Sequence, residues 1–115
     1  MFDRLRKMMQ ETPIPSLTAQ EAAARRGKKG VVLVDVREPF EFDDGHIPGA
    51  LPMPLGTVGA RWKELSGHEQ VIVVCRSGNR SAHATRQLHE LGVKQAVNMT
   101  GGMISWASER LPVSR

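Results

Sequence analysis

The sequence predicts an α/β fold built around a mainly parallel β-sheet. Two short runs rich in β-branched residues, VVLVDVR at 31–37 and VIVVC at 71–75, have the pattern of strands buried on both faces of such a sheet. A weaker third strand is expected at QAVNM, residues 95–99. Helical patterns alternate with these strands, which implies right-handed parallel crossovers. At 115 residues the chain is the size of one domain.

A first helix is expected over residues 18–26, before the first strong strand. Thr18 and Glu21 have the spacing of a capping box, and alanine-rich helix formers follow. Gly27 stands where a helix C-terminal cap belongs. The start and the end of this helix are therefore both marked in the sequence.

Two further helices are expected, one before the second strong strand and one at the end of the chain. The connection between the strong strands is first dense in Pro and Gly and then helix-like from about residue 57 to 65, as a crossover requires. After the third strand, Gly101 and Gly102 suit a tight turn. Ile104 and residues 106–111 then indicate one more helix.

The segment after Cys75 is predicted to be an amphipathic helix. Ala84, Leu88 and Leu91 fall at i, i+4 and i+7, and Gly92 supplies a stop. A loop that leaves a parallel strand and enters a helix lies at the carboxyl edge of the sheet, where α/β proteins usually bind ligands. Cys75 is therefore placed for chemistry.

The first dozen residues carry an apolar strip of their own. Four side chains stand at helical spacing: Phe2, Leu5, Met8 and Met9. Such a strip more often packs on its parent domain than on a partner or a membrane surface. We therefore expect a helical or flexible extension over residues 1–15 and one domain over residues 16–115, and the extension receives no function.

Composition indicates an ordered, soluble chain without disulfides. The single cysteine cannot form an intrachain disulfide, and the charged amino terminus lacks the apolar core of a signal peptide. No run reaches the roughly 20 apolar residues of a membrane helix. The expected location is cytoplasmic. The net charge of +4 comes from scattered basic residues without an aromatic platform, which favours small anions over nucleic acid.

The loop CRSGNR after the second strong strand has the features of an anion site around a thiolate. Several residues in and after it accept unusual backbone angles, so their N–H groups can turn inward as a nest: Ser77, Gly78, Asn79 and Ser81. The following helix adds its positive N-terminal end. Arg76 and Arg80 add two cations, and together these features predict a lowered pKa for the Cys75 thiol.

A cysteine after a run of valine and isoleucine is often only a small buried hydrophobe. The two arginines and the glycine-containing turn favour a nucleophile, because a packing cysteine does not need them. No base adjoins Cys75 in the sequence, but a thiol with a depressed pKa needs none. His83 is expected to face solvent. The four histidines have no ligand spacing, so neither a metal nor another cofactor is expected.

Three ordered motifs resemble the single-domain rhodanese family of sulfurtransferases. The family's active-site loop often reads Cys-x-x-Gly-x-Arg-Ser, and CRSGNRS at 75–81 matches it. VDVREPFEFDDGHIPGALPMPL and NMTGGMISWASERLPV match the flanking signatures, so the resemblance covers residues 16–113. It implies a three-layer fold with a central, mainly parallel sheet of four to five strands between helices. One departure is Leu111, where members often have glycine before the final proline.

The resemblance also implies roles for individual residues. Cys75 would be the sulfur-accepting nucleophile, and the backbone of the following six residues would hold the bound anion or persulfide: Arg76, Ser77, Gly78, Asn79, Arg80 and Ser81. Arg76 and Arg80 would attract an anionic donor such as thiosulfate. The acceptor would be cyanide or a thiol, with thioredoxin or a sulfur-carrier protein as a candidate partner.

The flanking signatures are interpreted mainly as scaffold. Asp35 and Arg37 match the family's Asp-Val-Arg segment. Charged groups at strand ends more often pair with one another than take part in catalysis. Glu41 is a further candidate partner for them. His46, within the Gly-His-Ile-Pro-Gly-Ala match, is also expected to be structural.

The last signature contributes close packing. Gly101 and Gly102 are expected to allow close passage of the backbone. Trp106 is expected to anchor the core, with a place on the rim of the pocket as the alternative.

Two other functions remain open. Dual-specificity phosphatases of the cell cycle and some arsenate reductases resemble this fold, but their Cys-x5-Arg loop would require arginine at 81, where this chain has Ser81. Inactive rhodanese-like domains serve as binding or regulatory modules, and they typically lack the cysteine that this chain keeps. The sequence therefore favours sulfur transfer through a persulfide on Cys75.

Overall fold

The computed structural model describes residues 13–115, and five parallel strands form its central sheet. The strands are β1 (Ser16–Leu17), β2 (Val31–Asp35), β3 (Leu51–Pro52), β4 (Gln70–Val74) and β5 (Ala96–Met99). Their order across the sheet is β1-β5-β4-β2-β3. All four strand pairings are parallel, which confirms the predicted fold class. The expected extension at 1–15 falls mostly outside the described residues.

Within residues 13–115, four α-helices connect these strands and a fifth follows the last strand. They are α1 (Ala19–Arg25), α2 (Pro39–Asp44), α3 (Val58–Arg61), α4 (Asn79–Glu90) and α5 (Gly102–Ser108), with 3₁₀ turns at Leu55–Thr57 and Trp62–Glu64. The capping box that predicted α1 is present, because Thr18 Oγ1 accepts from Glu21 N–H and Glu21 Oε1 accepts from Thr18 N–H. Among the described residues, no helix is long and apolar enough to cross a membrane.

Two expectations about the helices are corrected. The single helix expected over 57–65 is the four-residue α3 between two 3₁₀ turns, where Leu65 N–H donates to Trp62 O. Gly56 and Gly59, which are poor helix formers, lie in this stretch. The final helix begins at Gly102 instead of residue 104 and ends at Ser108 instead of residue 111.

The helix α2 was not predicted, because its proline and its glycine-rich surroundings indicate irregular chain. Pro39 occupies the first turn, where its missing N–H breaks no helical hydrogen bond. Glu38 precedes the helix, and its backbone N–H donates to the Glu41 carboxylate at 3.1 Å. The helix therefore starts with a capping interaction built from glutamates. It begins four residues after the end of β2.

The core has one layer on each face of the sheet. Along β4, Val71 and Val73 pack with residues of α3 and α4, whereas Ile72 and Val74 pack with α1 and α5. Burial of each such side chain contributes roughly 1.5–3 kcal/mol. Trp106 is completely buried, which confirms it as a core anchor, and its Nε1–H donates to Pro112 O at 2.7 Å. The sheet between two helical layers is the expected three-layer architecture.

Candidate active site

Cys75 lies at the carboxyl edge of the sheet, directly after β4. β4 is the middle strand, and its neighbours β2 and β5 run parallel to it, so the segments that leave all three strands meet at this edge. The segment 75–78, which we call the Cys75 loop, leads into α4. The thiol is completely buried. The fold therefore places the lone cysteine where sequence analysis expects it.

The sulfur of Cys75 accepts hydrogen bonds from the loop and from the first turn of α4. Gly78 N–H donates to Sγ at 3.1 Å, and the hydroxyl of Ser81 donates at 3.3 Å. Gly78 adopts a left-handed conformation, with φ of +102°, which turns its N–H toward the sulfur and which L-residues rarely adopt. The loop is therefore a nest of donors around one sulfur atom.

These donors lower the pKa of the thiol. Burial raises the pKa of Cys75, but hydrogen bonds from the Ser81 hydroxyl and from the N–H groups of Ser81, Gly78 and Ser77 lower it more. The net pKa lies below the ordinary cysteine value. The shift has the predicted direction, although hydrogen bonds and not the two arginines make the largest favourable contributions. A thiolate of this kind is a nucleophile.

The start of α5 supports the Cys75 loop from behind. Met103 N–H donates to Cys75 O at 2.9 Å, and Ile104 N–H donates to Arg76 O at 3.1 Å. Gly102 makes this approach possible, because a Cβ there would overlap the carbonyl groups of Cys75 and Arg76. The expected close passage of the backbone is therefore present at Gly102.

Arg80 is paired with Glu41, so its charge is compensated within the protein. Its guanidinium donates to both carboxylate oxygens of Glu41, at 2.7 and 2.9 Å. This pairing lowers the pKa of Glu41 to about 2. The expectation that Glu41 partners Asp35 and Arg37 is corrected, although the charge of Arg37 also contributes to lowering that pKa.

Asp35 and Arg37 form a buried ion pair at the end of β2. Arg37 Nη2 lies 2.8 Å from Asp35 Oδ2 and also donates to Gly45 O at 2.8 Å. Asp35 Oδ1 accepts from the Arg37 backbone N–H and from Nε, both at 3.0 Å. The pair thus joins the strand end to the end of α2, a placement that supports a scaffolding role.

The ring of His46 packs against α2, and His83 faces solvent. His46 stacks on Phe42, with ring centroids 3.8 Å apart, and its Nδ1–H donates to Phe42 O at 2.8 Å. Its backbone bridges to Ser114. His83 is exposed on α4, as expected. Within residues 13–115, no three His, Cys, Asp or Glu side chains come together as a metal site.

A cleft of about 640 Å³ lies beside the Cys75 loop, between α2 and α5. We call it the α2–α5 cleft. Its described lining consists of Arg37, Phe40, Glu41, Asp44, Arg76, Met103, Ile104 and Ala107. Five of these residues were not predicted from the sequence as site residues: Phe40, Asp44, Met103, Ile104 and Ala107. A weak signal was present for Phe40, because Phe40 and Phe42 are large apolar residues in an otherwise charged and proline-containing stretch.

The sequence matches the family described as Rhodanese-like domain over residues 18–109. A curated relative from Allochromatium vinosum, named Sulfurtransferase, is 40% identical over 83 residues, which are 72% of this chain and 78% of the relative. Several other curated relatives are longer, and the chain spans less than half of their length. The family match and the named relative support a general role in sulfur transfer.

Solved structures have the same fold. A rhodanese-related protein from Thermoplasma volcanium aligns with a TM-score of 0.79 and 34% identity, over 87% of this chain and 97% of that one. A Rhodopseudomonas palustris protein of unknown function, described as a possible tyrosine phosphatase, aligns with a TM-score of 0.81 and 28% identity, over 88% and 85%.

Proposed function

The chain belongs to the rhodanese-like domain family, and we propose that it is a thiosulfate sulfurtransferase that works through a persulfide on Cys75. It would move sulfane sulfur from a donor such as thiosulfate to a thiophilic acceptor, cyanide or a thiol. The observation that carries this proposal is the buried Cys75 sulfur inside a ring of N–H and O–H donors. Such a ring stabilises an anion on sulfur, whether thiolate or persulfide.

The reaction divides into two displacements at sulfur. The Cys75 thiolate attacks the outer sulfur of thiosulfate, the donor S–S bond breaks, and sulfite leaves with the bonding electron pair. The enzyme then holds Cys75–S–S⁻. Cyanide attacks the terminal sulfur, the enzyme S–S bond breaks, and thiocyanate and the thiolate result. Both steps conserve charge, and passage through one covalent state gives ping-pong kinetics.

We assign the remaining predicted residues as follows. The backbone of the Cys75 loop and of the first turn of α4 holds the persulfide. Arg76, which is exposed and lines the adjacent cleft, attracts anionic donors. Arg80 positions the start of α4 through Glu41, and the pair of Asp35 and Arg37 supports the edge of the sheet.

The proposed setting is the cytoplasm, where the lone thiol stays reduced between turnovers. The proposed acceptors there are small thiols and a thioredoxin or sulfur-carrier protein. Neither nucleic acid nor a membrane takes part in this proposal.

Phosphatase activity is the second candidate, favoured by the similarity to the Rhodopseudomonas palustris protein. Two contacts argue against it. Ser81 stands where a Cys-x5-Arg loop requires arginine, and its hydroxyl already donates to Sγ. Arg80 points to Glu41, where its charge is compensated. The loop therefore offers no unpaired arginine at the position that a phosphate ester requires.

Intact-protein mass spectrometry tests the proposed function. After incubation with excess thiosulfate and removal of the donor, we expect the protein to gain one sulfur atom on Cys75. Cyanide should return the protein to its starting mass. Cys75→Ser should gain nothing, whereas His83→Ala, an exposed change on the following helix, should load like the parent. A protein that no sulfane donor loads would overturn the proposal and leave the binding-module alternative.

Hydrolysis of an aryl phosphate, measured on the same preparation, tests whether the protein is a phosphatase. We expect hydrolysis to be much slower than sulfur transfer. The reverse ranking would favour a phosphatase.

A further inference from the structure

The α2–α5 cleft has exposed apolar side chains on two of its walls. Among the described residues, the exposed large apolar side chains are Phe40, Ile104 and Val113, which are 74%, 55% and 47% exposed. Phe40 projects from α2 and Ile104 from α5, and both line the cleft. Single exposed apolar residues are ordinary, but two on facing elements beside a reactive thiol form a surface suited to an apolar partner.

The charges of the cleft balance, although the whole chain carries +4. The described lining has two cations, Arg37 and Arg76, and two carboxylates, Glu41 and Asp44. Arg37 is already paired with Asp35, and Glu41 with Arg80. A dianion such as thiosulfate thus meets Arg76 together with the carboxylate of Asp44. The balanced charges of the lining favour binding of a sulfur donor with low net charge over binding of a small dianion.

The size of the cleft agrees with its charge. A volume of about 640 Å³ lies in the range of roughly 300–1,000 Å³ that holds drug-sized ligands. Thiosulfate and cyanide would fill only a small part of it. Arg76 lines the cleft and adjoins Cys75 in the chain, so a ligand seated there lies next to the reactive loop.

We propose that the preferred sulfur donor is a persulfidated cysteine within a peptide segment, whose apolar neighbours lie between Phe40 and Ile104. This inference rests on the proposed function. Free cysteine carries an ammonium and a carboxylate close to its sulfur, and glutathione carries charged groups at both ends of a tripeptide, whereas cysteine within a longer peptide has neutral backbone on both sides. Flanking apolar residues can then reach the two walls of the cleft.

The proposed transfer needs no further reactant. The Cys75 thiolate attacks the outer sulfur of the peptide's R–S–SH group, and the donor S–S bond breaks. The bonding pair leaves with the peptide sulfur as R–S⁻, and the enzyme becomes Cys75–S–SH. One S–S bond forms and one breaks, so there is no net oxidation.

The test compares donors on the full chain by the kcat/KM of Cys75 loading. The probes are thiosulfate, glutathione persulfide and two synthetic, end-capped hexapeptides with a central persulfidated cysteine. One peptide has leucine and valine beside that cysteine, and the other has serine and glutamine. We expect the apolar peptide to give the highest kcat/KM of the four.

Variants of the cleft walls identify the surface. Phe40→Ser or Ile104→Ser should each lower the ratio of kcat/KM for the apolar peptide to that for thiosulfate by about tenfold, as loss of part of a buried side chain predicts. Val113→Ser, an exposed apolar residue outside the described lining, should leave the ratio unchanged.

Three results would overturn the inference: equal rates for the two peptides, a higher kcat/KM for thiosulfate or glutathione persulfide, or wall variants that keep the parental ratio. Each of these results still requires that Cys75 be loaded. Failure of every donor to load Cys75 is a different result, and it would refute the proposed function itself.

Discussion

The Cys75 loop surrounds a buried sulfur mainly with backbone N–H groups, whereas the neighbouring α2–α5 cleft meets solvent with exposed side chains of mixed character. Donors in the backbone cannot be removed by exchanging side chains, but they depend on the conformation of the chain. The exposed apolar side chains of the cleft, Phe40 and Ile104, can change without removing a buried contact. The chemistry of sulfur activation and the choice of donor are therefore separable, and substitutions should affect the loop most and the cleft least.

The largest effect is expected from Gly102→Ala, at the start of α5. Gly102 has φ of +53°, and an added Cβ would overlap the carbonyl groups of Cys75 and Arg76. We expect the free energy of unfolding, measured by urea titration, to fall by about 2–5 kcal/mol, and sulfur loading of Cys75 to fall with it.

Gly49→Ala is the matched control for that change. Gly49 also has a positive φ, +85°, but an added Cβ would meet nothing within 4 Å. Only the backbone cost of about 1–2 kcal/mol should remain. If both alanines reduced stability equally, the close contact between α5 and the Cys75 loop would have no energetic role.

The loop could be predicted because its determinants are close together in the sequence. Cys75, Gly78 and Ser81 lie within seven consecutive positions, and a strand followed by a loop and a helix fixes their place at the edge of the sheet. The pairing of Arg37 with Asp35, two residues away, follows from the same local logic. Local spacing thus carried most of the information about the reactive centre.

The cleft could not be predicted, because it depends on contacts between distant segments. Glu41 and Arg80 are 39 positions apart and meet only when β2 and β4 pair. Phe40 and Ile104 share a cleft only because α2 and α5 follow strands that belong to one sheet. The edge strands β1 and β3 have two residues each, too few for a periodic signal.

A smaller effect, confined to chemistry, is expected from Ser81→Ala. The change removes the hydroxyl that donates to Cys75 Sγ at 3.3 Å and retains the backbone N–H. A hydrogen bond to a charged acceptor is worth about 1.5–3 kcal/mol, so losing it should raise the pKa of Cys75. The measurement is the pH dependence of alkylation by iodoacetamide.

Ser77→Ala is the control for Ser81→Ala, because Ser77 lowers the pKa of Cys75 through its backbone N–H, which alanine keeps. Its alkylation profile should match that of the parent. A parental profile for Ser81→Ala as well would show that the backbone donors alone hold the thiolate.

The smallest effect is expected from Glu41→Gln, in the wall of the cleft. Glu41 has a pKa of about 2 in the folded protein, below its ordinary value of 4.5, mainly because Arg80 donates to it. A lowered pKa gives stability that is complete above the ordinary value and is lost as the pH falls toward about 2. Because Arg80 is partly exposed, we expect the free energy of unfolding of the parent to exceed that of the variant by about 1 kcal/mol near neutral pH.

That difference between the parent and Glu41→Gln should shrink between pH 4.5 and about 2, as measured by urea unfolding at a series of pH values. Glu64→Gln is the control, since Glu64 pairs with Arg61 at an exposed site within one short segment. The difference in the free energy of unfolding between the parent and Glu64→Gln should be smaller at every pH, because solvent screens the pair of Arg61 and Glu64 more strongly. A difference for Glu41→Gln that stays constant down to about pH 2 would mean that the Arg80 pair does not stabilise the contact between α2 and α4. The cleft and the loop would then lack this stabilising link, because the pair of Glu41 and Arg80 joins the wall of the cleft to the helix that carries Ser81.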